Sequence, residues 1–404
     1  MALSDLIPWP FGRKGAGSAV FQPAQTLSLA DGRPALARTG YWPGFGGAGG
    51  EALPAGYEAQ LRELYLKNAI AQRCVRLITD AVADCPIAAP DSEAGRRARA
   101  LIATPSAGQN LLETLAAHVL LHGNAYVRML EDGAGRLAEL YALRPERVTV
   151  EAGADGWARS YLYRIGSHVS RMMADDPSGC ASLVHMRSHH PADDHYGLGA
   201  LSAAAPAIAI HNASARWNKA LLDNAARPSG ALVYDGGDAG QSLSADQFAR
   251  LKAELEAGFQ GAANAGRPML LEGQLKWQTL SLSPAEMDFV GLKDAAAREI
   301  ACVFGVPPML LGLPGDATYA NYREATRALW RQTIVPLANR LLAGLAGGMR
   351  GWMASDGVEG AEELTLRVDL DLLPALSEDR ERLWAQVGAA DFLTVEEKRA
   401  MVGL

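Results

Sequence analysis

From Tyr57 onward, apolar residues fall at helical spacing: Leu61, Leu64, Ala71, Val75, Ile78 and Val82 form one stripe, and Pro86 closes it. The spacing predicts a helix there and a second one over Leu111–His122. The period then drops to two. Asn124–Leu130 and Leu137–Leu143 alternate on either side of Asp132-Gly133 and predict a hairpin, with further strands at Arg147–Glu151, Tyr161–Ile165 and Leu183–Arg187. Leu201–Asn224 is an alanine-rich helix whose small residues (Ala203, Ala204, Ala205, Ala207, Ala209, Ala213) would let another helix approach closely; Arg227-Pro228 and Gly230 break it.

Residues 231–281 read as a compact insert of a strand, a turn at Gly236-Gly237, a helix and two more strands. Its helix opens with Ser244-x-x-Gln247, a capping box in which each side chain satisfies a free backbone N–H. Ser283-Pro284-Ala285-Glu286 starts the next helix, which runs to Phe304 and is stopped by Gly305 and Pro307-Pro308. A loop over Leu311–Thr318 leads to a long helix near Tyr319–Leu345, with Asn321 and Glu324 as a second cap. Pro336 inside it removes one backbone hydrogen bond and crowds the carbonyl of Gln332, which predicts a kink. Leu364–Leu370 alternates like a strand, and short helices begin at Ser377 and Thr394. Residues 1–56 are rich in Gly, Pro and Ala without sustained periodicity and read as a flexible arm. The fold class is α+β.

Length and charge narrow this picture. A chain of 404 residues suits two or three packed subregions. A net charge of −7 argues against a broad basic face that wraps nucleic acid, but leaves DNA open as a passing substrate. Cys74, Cys85, Cys180 and Cys302 form no C-x-x-C pair, so they read as reduced, buried thiols. No positive region precedes an apolar run at the N-terminus, and no apolar stretch approaches the roughly 20 residues of a spanning helix. Neither export nor membrane insertion is expected.

Catalytic chemistry is hard to find. Gly44-Phe-Gly46-Gly-Ala-Gly49 matches G-x-G-x-x-G, yet no strand precedes it and no helix follows, as a dinucleotide site requires. There is no Gly-Lys dipeptide, hence no P-loop, and no G-x-S-x-G elbow. His118 and His122 lie four apart on a helix, but Val119 stands where a zincin carries its Glu. His189, His190, Asp193, Asp194 and His195 form a polar cluster that an ordinary loop explains equally well. No nucleophile, base and oxyanion site come together, so no enzyme, cofactor or metal is expected.

Five blocks carry a resemblance instead. They are Leu121-His-Gly-Asn-Ala-Tyr126, Leu143-Arg-Pro-Glu-Arg147, Asn224-Ala-Ala-Arg-Pro-Ser-Gly230, Asn264-Ala-Gly-Arg-Pro-Met-Leu-Leu-Glu-Gly273 with Lys276-Trp277, and Glu299-Ile-Ala-Cys-Val-Phe-Gly-Val-Pro-Pro-Met-Leu-Leu-Gly312. In this order, across residues 60–400, the chain resembles the portal proteins of long-tailed, siphovirus-type bacteriophages, including those of phage-derived gene transfer agents. The resemblance implies a portal-type fold: wing 57–199 and 321–375, stem helices 200–226 and 283–304, clip 227–282, tunnel loop 305–320, and a short crown 376–404, after the arm 1–56.

It also implies a ring of about twelve subunits at a capsid vertex that conducts double-stranded DNA during packaging and ejection. The implied partners are the major capsid protein, the terminase large subunit and, at the clip, a head-tail adaptor. Tunnel-loop residues would be Leu313, Pro314, Asp316, Thr318 and Tyr319; stem interface or bore residues would be Asp288, Lys293, Asp294, Arg298 and Glu299. Two departures stand out, the Gly-rich stretch of the arm and the short crown.

The charge pattern suits a channel. Non-specific phosphate contacts are worth roughly 5–8 kcal/mol, and a basic bore repeated around a ring would stall the DNA. The stem charges are of mixed sign, and the loop Leu-Gly-Leu-Pro-Gly-Asp316-Ala-Thr-Tyr carries one carboxylate. Arginine outnumbers lysine thirty-one to seven; this suits bidentate pairing across interfaces, and a GC-rich genome accounts for it equally. Two other classes stay open at this point: a virion or scaffold component that binds protein, and a metalloenzyme or hydrolase built on His189–His195.

Overall fold

The computed structural model describes residues 56–174, 179–223, 230–234, 244–247, 249–250, 253, 275–279, 289–313 and 319–402. The first apolar stripe is two helical pieces and not one. Helix α1 (Tyr57–Gln60) continues into a π-turn at Leu61–Tyr65 and stops before Asn68. Asn68 is extended, and its side chain accepts from the Ala71 N–H at 2.9 Å, so it caps a new helix, α2 (Ala69–Ala83). Strand β1 (Ile87–Ala88) and helix α3 (Glu93–Ala103) follow. Helix α3 is absent from the sequence reading because its buried stripe, Ala94, Ala98 and Ile102, is made mostly of small residues; Ser92 caps it. Helix α4 (Leu111–His122) is capped by Asn110 and ends at Gly123, whose φ of 83° is left-handed.

The hairpin forms as expected from β2 (Asn124–Glu131) and β3 (Leu137–Leu143). Asp132 organises its turn by accepting from the Ala134 and Arg136 N–H groups. A second meander is built from β4 (Val148–Ala152), β5 (Ala158–Ile165) and β6 (His168–Met173), the last unforeseen. Strand β7 (Leu183–Arg187) pairs antiparallel with β2, opposite β3. Tyr126, Leu143, Val148, Val150, Tyr161, Met172 and Leu183 form a small core joining the two sheets.

The main core lies beneath α2, α4 and the long C-terminal helix. Two helices, α5 (Ala200–Asp223) and α6 (Phe289–Val303), pack against each other. Between them in sequence, β8 (Gly230–Tyr234) and β9 (Leu275–Thr279) pair antiparallel, and the Ser244–Gln247 capping box closes as predicted, at 3.0 and 3.3 Å. The turn at Gly236-Gly237 and the helix start at Ser283–Glu286 lie outside the described residues.

Helix α7 (Tyr319–Leu329) runs through a π-turn at Trp330–Ile334 into α8 (Val335–Ser355), ten residues beyond the expected end. The π-turn stands where Pro336 predicts a kink. It places the Val335 N–H on the Trp330 carbonyl, five residues back, just before the proline, which has no N–H to offer. Gly344, Gly348 and Gly351 line one face of α8. A Cβ on Gly348 would meet Val184 at 2.1 Å, so the helix lies directly on β7.

Leu364, Leu366 and Val368 are buried in alternation, yet only β10 (Arg367–Val368) finds a partner, the equally short β1. Helix α9 (Ser377–Gly388) is tied to α7 by ion pairs: Arg327 reaches Glu378 at 2.7 Å and Asp379 at 3.6 Å, and Arg323 reaches Glu378 at 3.0 Å. Helix α10 (Val395–Val402) starts from a second capping box, Thr394 with Glu397.

Candidate channel and assembly surfaces

Helices α5 and α6 pack against each other, and both bury small and branched residues. Ala204, Ala205, Ala207 and Ile208 are buried on one side, and Ala296, Ala297, Ile300 and Ala301 on the other. Ala203 and Ala213 face outward and so are not part of that contact. Polar bonds fix α5 against the N-terminal helices. Asn68 donates to the Asn212 Oδ1 at 2.9 Å and lies 3.1 Å from His211 Nδ1, and Ser202 donates to Gln60 at 3.2 Å. The opposite faces stay open: Ile210 and Trp217 on α5, and Val290 and Leu292 on α6, are exposed.

Of the stem residues read from the sequence, Lys293 and Asp294 are half-buried beside His211. Burial and then the Lys293 charge hold that imidazole below its usual pKa, while the Asn212 bond and the Asp294 carboxylate pull the other way. Arg298 and Glu299 lie one turn further on and are exposed. Asp288 lies outside the described residues.

The block at the end of α6 acts as a stop. Gly305 takes φ 70°, the Val306 N–H bonds back to the Ala301 carbonyl at 2.8 Å, and Thr333 donates to the Gly305 carbonyl at 2.8 Å. A short 3-10 turn at Pro308–Leu311 follows and ends at Gly312, φ 73°. Leu313 is half-buried; Pro314, Asp316 and Thr318 lie outside the described residues, and Tyr319 is the first residue of α7. Cys302, expected to be buried, is exposed on α6, whereas Cys74, Cys85 and Cys180 are buried.

The histidines are structural here. His122 packs edge-on to Tyr57 at 4.5 Å, and its Nδ1 lies 3.0 Å from the Asn124 amide. His185 stacks on Tyr126 at 4.3 Å and lies 3.0 Å from the Asn124 Oδ1. Burial lowers His118 and His122 to about 4 and His185 to about 3. In the 189–195 loop, Asp193 accepts from the N–H groups of His195 at 2.7 Å and Tyr196 at 3.0 Å and so shapes the turn. Among the described residues, no three His, Cys, Asp or Glu side chains are grouped to hold a metal ion.

The Leu121–Tyr126 block therefore has a physical reading that sequence analysis did not supply. The Asn124 side chain accepts from the Gly197 N–H at 2.8 Å and binds the 189–199 loop across the end of α4. A Cβ on Gly197 would stand 2.1 Å from the Gly123 carbonyl oxygen, so the two backbones touch.

A profile of the phage portal protein family matches residues 69–403. The chain belongs to that family. A Rickettsia bellii protein is 39% identical over 350 residues, 85% of this chain and 88% of that one. The probable portal protein of Streptomyces phage phiC31 is 27% identical over 289 residues, 67% of this chain and 61% of that one. Among solved structures, the neck of an empty gene transfer agent (GTA) particle computed with C6 symmetry contains a chain 45% identical, with a TM-score of 0.65, matching 87% of this chain and 94% of that one. The neck of a native GTA particle computed with C12 symmetry contains one 44% identical, with a TM-score of 0.64 and the same coverage. Portal proteins are structural capsid components and not enzymes, which accords with the lack of a catalytic constellation in the sequence.

Proposed function

We propose that this portal protein forms a ring of about twelve subunits at one capsid vertex and conducts double-stranded DNA during packaging and ejection. The observation that carries the reading is the 44% identity, over 87% of the chain, to a component of a particle neck with C12 symmetry. In that ring α5 and α6 belong to the antiparallel stem (200–226 and 283–304), and β8 and β9 to the clip (227–282). Residues 57–199 and 321–375 form the wing, 305–320 the tunnel loop and 376–404 the crown.

The stem's small-residue seam supports this division, because it lets two helices run side by side at close range. The exposed apolar groups on the outer faces of α5 and α6 then meet the next subunit. Asp288, Lys293, Asp294, Arg298 and Glu299 are assigned to subunit contacts or to the bore, and Leu313, Pro314, Asp316, Thr318 and Tyr319 to the loop facing the DNA. These mixed charges offer a polyanion no continuous grip.

The partners proposed are the major capsid protein, a head-tail adaptor at the clip and the terminase large subunit. The last supplies ATP hydrolysis, since the chain has no P-loop. Identity of 44–45% to GTA necks against 27% to a phage portal favours a gene transfer agent as the particle. Among the described residues no helix is long and apolar enough to cross a membrane.

Negative-stain imaging and native mass measurement of the purified chain test the proposal. Rings with an axial hole are expected; a population of compact monomers at every concentration would overturn it.

A further inference from the structure

The C-terminal region carries a hole and a knob that do not meet within one subunit. Between the start of α8 and the flank of α9 opens a cavity of about 490 Å³. Val335, Leu370, Leu376 and Leu383 supply its apolar wall, and Arg331 and Arg382 stand at its polar side with Asp379. The α9 positions on it, Asp379, Arg382, Leu383 and Gln386, fall on one helical face. Arg380 also lines it, but its guanidinium is held by Asp371 and by the Val402 carbonyl at 2.9 Å.

Past the C-terminal end of α9 the chain turns toward α10 and leaves Phe392 87% exposed, outside the cavity lining. Val395 nearby is 73% exposed. Residues Asp391–Glu397 carry three carboxylates and no cation.

We infer that the cavity between α8 and α9 receives Phe392 of a second copy of this chain, with Asp391 of that copy beside Arg331 and Arg382. Size permits it: an apolar cavity of about 150 Å³ already holds a benzene ring, and this one is larger. Charge favours it: Arg331 pairs with Asp379 at 3.9 Å, which leaves the Arg382 guanidinium as the lining charge with no ion pair among the described residues, and the approaching segment is acidic. The symmetry follows as well. Knob and hole are different surfaces of one chain, so the contact is heterologous and repeats head to tail, the type of contact a closed ring is built from. The inference rests on the ring reading above and assigns one of its contacts.

Cross-linking tests it. Leu383→Cys and Phe392→Cys are combined in a Cys302→Ser background, and assembled rings are oxidised and run under denaturing, non-reducing conditions. A ladder of linked subunits climbing beyond the dimer is expected, absent from either single variant. Rings that give no ladder, or only a bridge within one subunit, overturn the inference. So does protection of the L383C thiol from alkylation without a ladder, which gives the cavity to a different protein. Absence of rings in the unmodified chain would instead sink the ring reading. As a second measurement, Phe392→Ala is expected to raise the subunit concentration at half-assembly on the order of tenfold, and Phe392→Leu to recover most of it. Unchanged assembly of Phe392→Ala counts against the contact.

Discussion

Three half-buried imidazoles make the fold sensitive to acid. His118, His122 and His185 have pKa values of about 4, 4 and 3 in the folded chain, lowered first by burial, and His118 and His185 also by neighbouring positive groups. Unfolded, each returns to about 6.5, so between these values the unfolded chain binds more protons. The stabilisation is therefore complete above about pH 6.5 and is lost as pH falls toward 4. Urea unfolding at pH 7 and pH 5 is expected to show a loss of at least about 1 kcal/mol at the lower pH, with a flatter slope for His185→Gln. At this scale the sequence exposed residue types but not their environments. His118 and His122 look like half a metal site until Tyr57 and Asn124, from other elements, are found against His122. Cys302 could not be told from the three buried cysteines, because exposure depends on which face of α6 meets α5.

Elements were legible where caps and periodicity agreed. The β2–β3 hairpin, α4, the box at Ser244 and the helix start at Thr394 form as the residues predict, because their bonds are local. Helix α3 and strand β6 escaped, the one buried mainly through alanines and the other with little of its surface covered. The strand expected over 364–370 shrinks to two residues because pairing needs an edge, and β1 offers only two. The join of α7 to α9 is a tertiary matter. Arg327, with a side chain 13% exposed, bonds Glu324 and Glu378, so Arg327→Ala removes the cation that joins the two helices, while the half-exposed carboxylates keep water and, for Glu378, Arg323. A destabilisation of about 1 kcal/mol at this junction is expected, read as faster amide exchange over Ser377–Gly388 with α4 unchanged.

For the whole molecule, charge and missing motifs argued against catalysis and a basic DNA-wrapping face, while the division into parts came from the resemblance carried by five sequence blocks. Two of those blocks, near Asn224 and Asn264, lie wholly or mostly outside the described residues, and those at Leu121–Tyr126 and Glu299–Gly312 are now tied to turns and close contacts. One further consequence lies in the β8–β9 ladder. Gly230 pairs with Thr279, so the two ends of the ladder lie only about 5 Å apart. A segment with adjoining ends is a cassette: it can be exchanged without altering the distance its host must span. Replacing residues 231–278 by an Asn-Gly turn is expected to leave a folded chain whose melting midpoint shifts by no more than a few degrees, because the turn joins the paired ends Gly230 and Thr279 directly. The same pair of ends would accept a foreign domain with adjacent termini, turning this end of the chain into a display site.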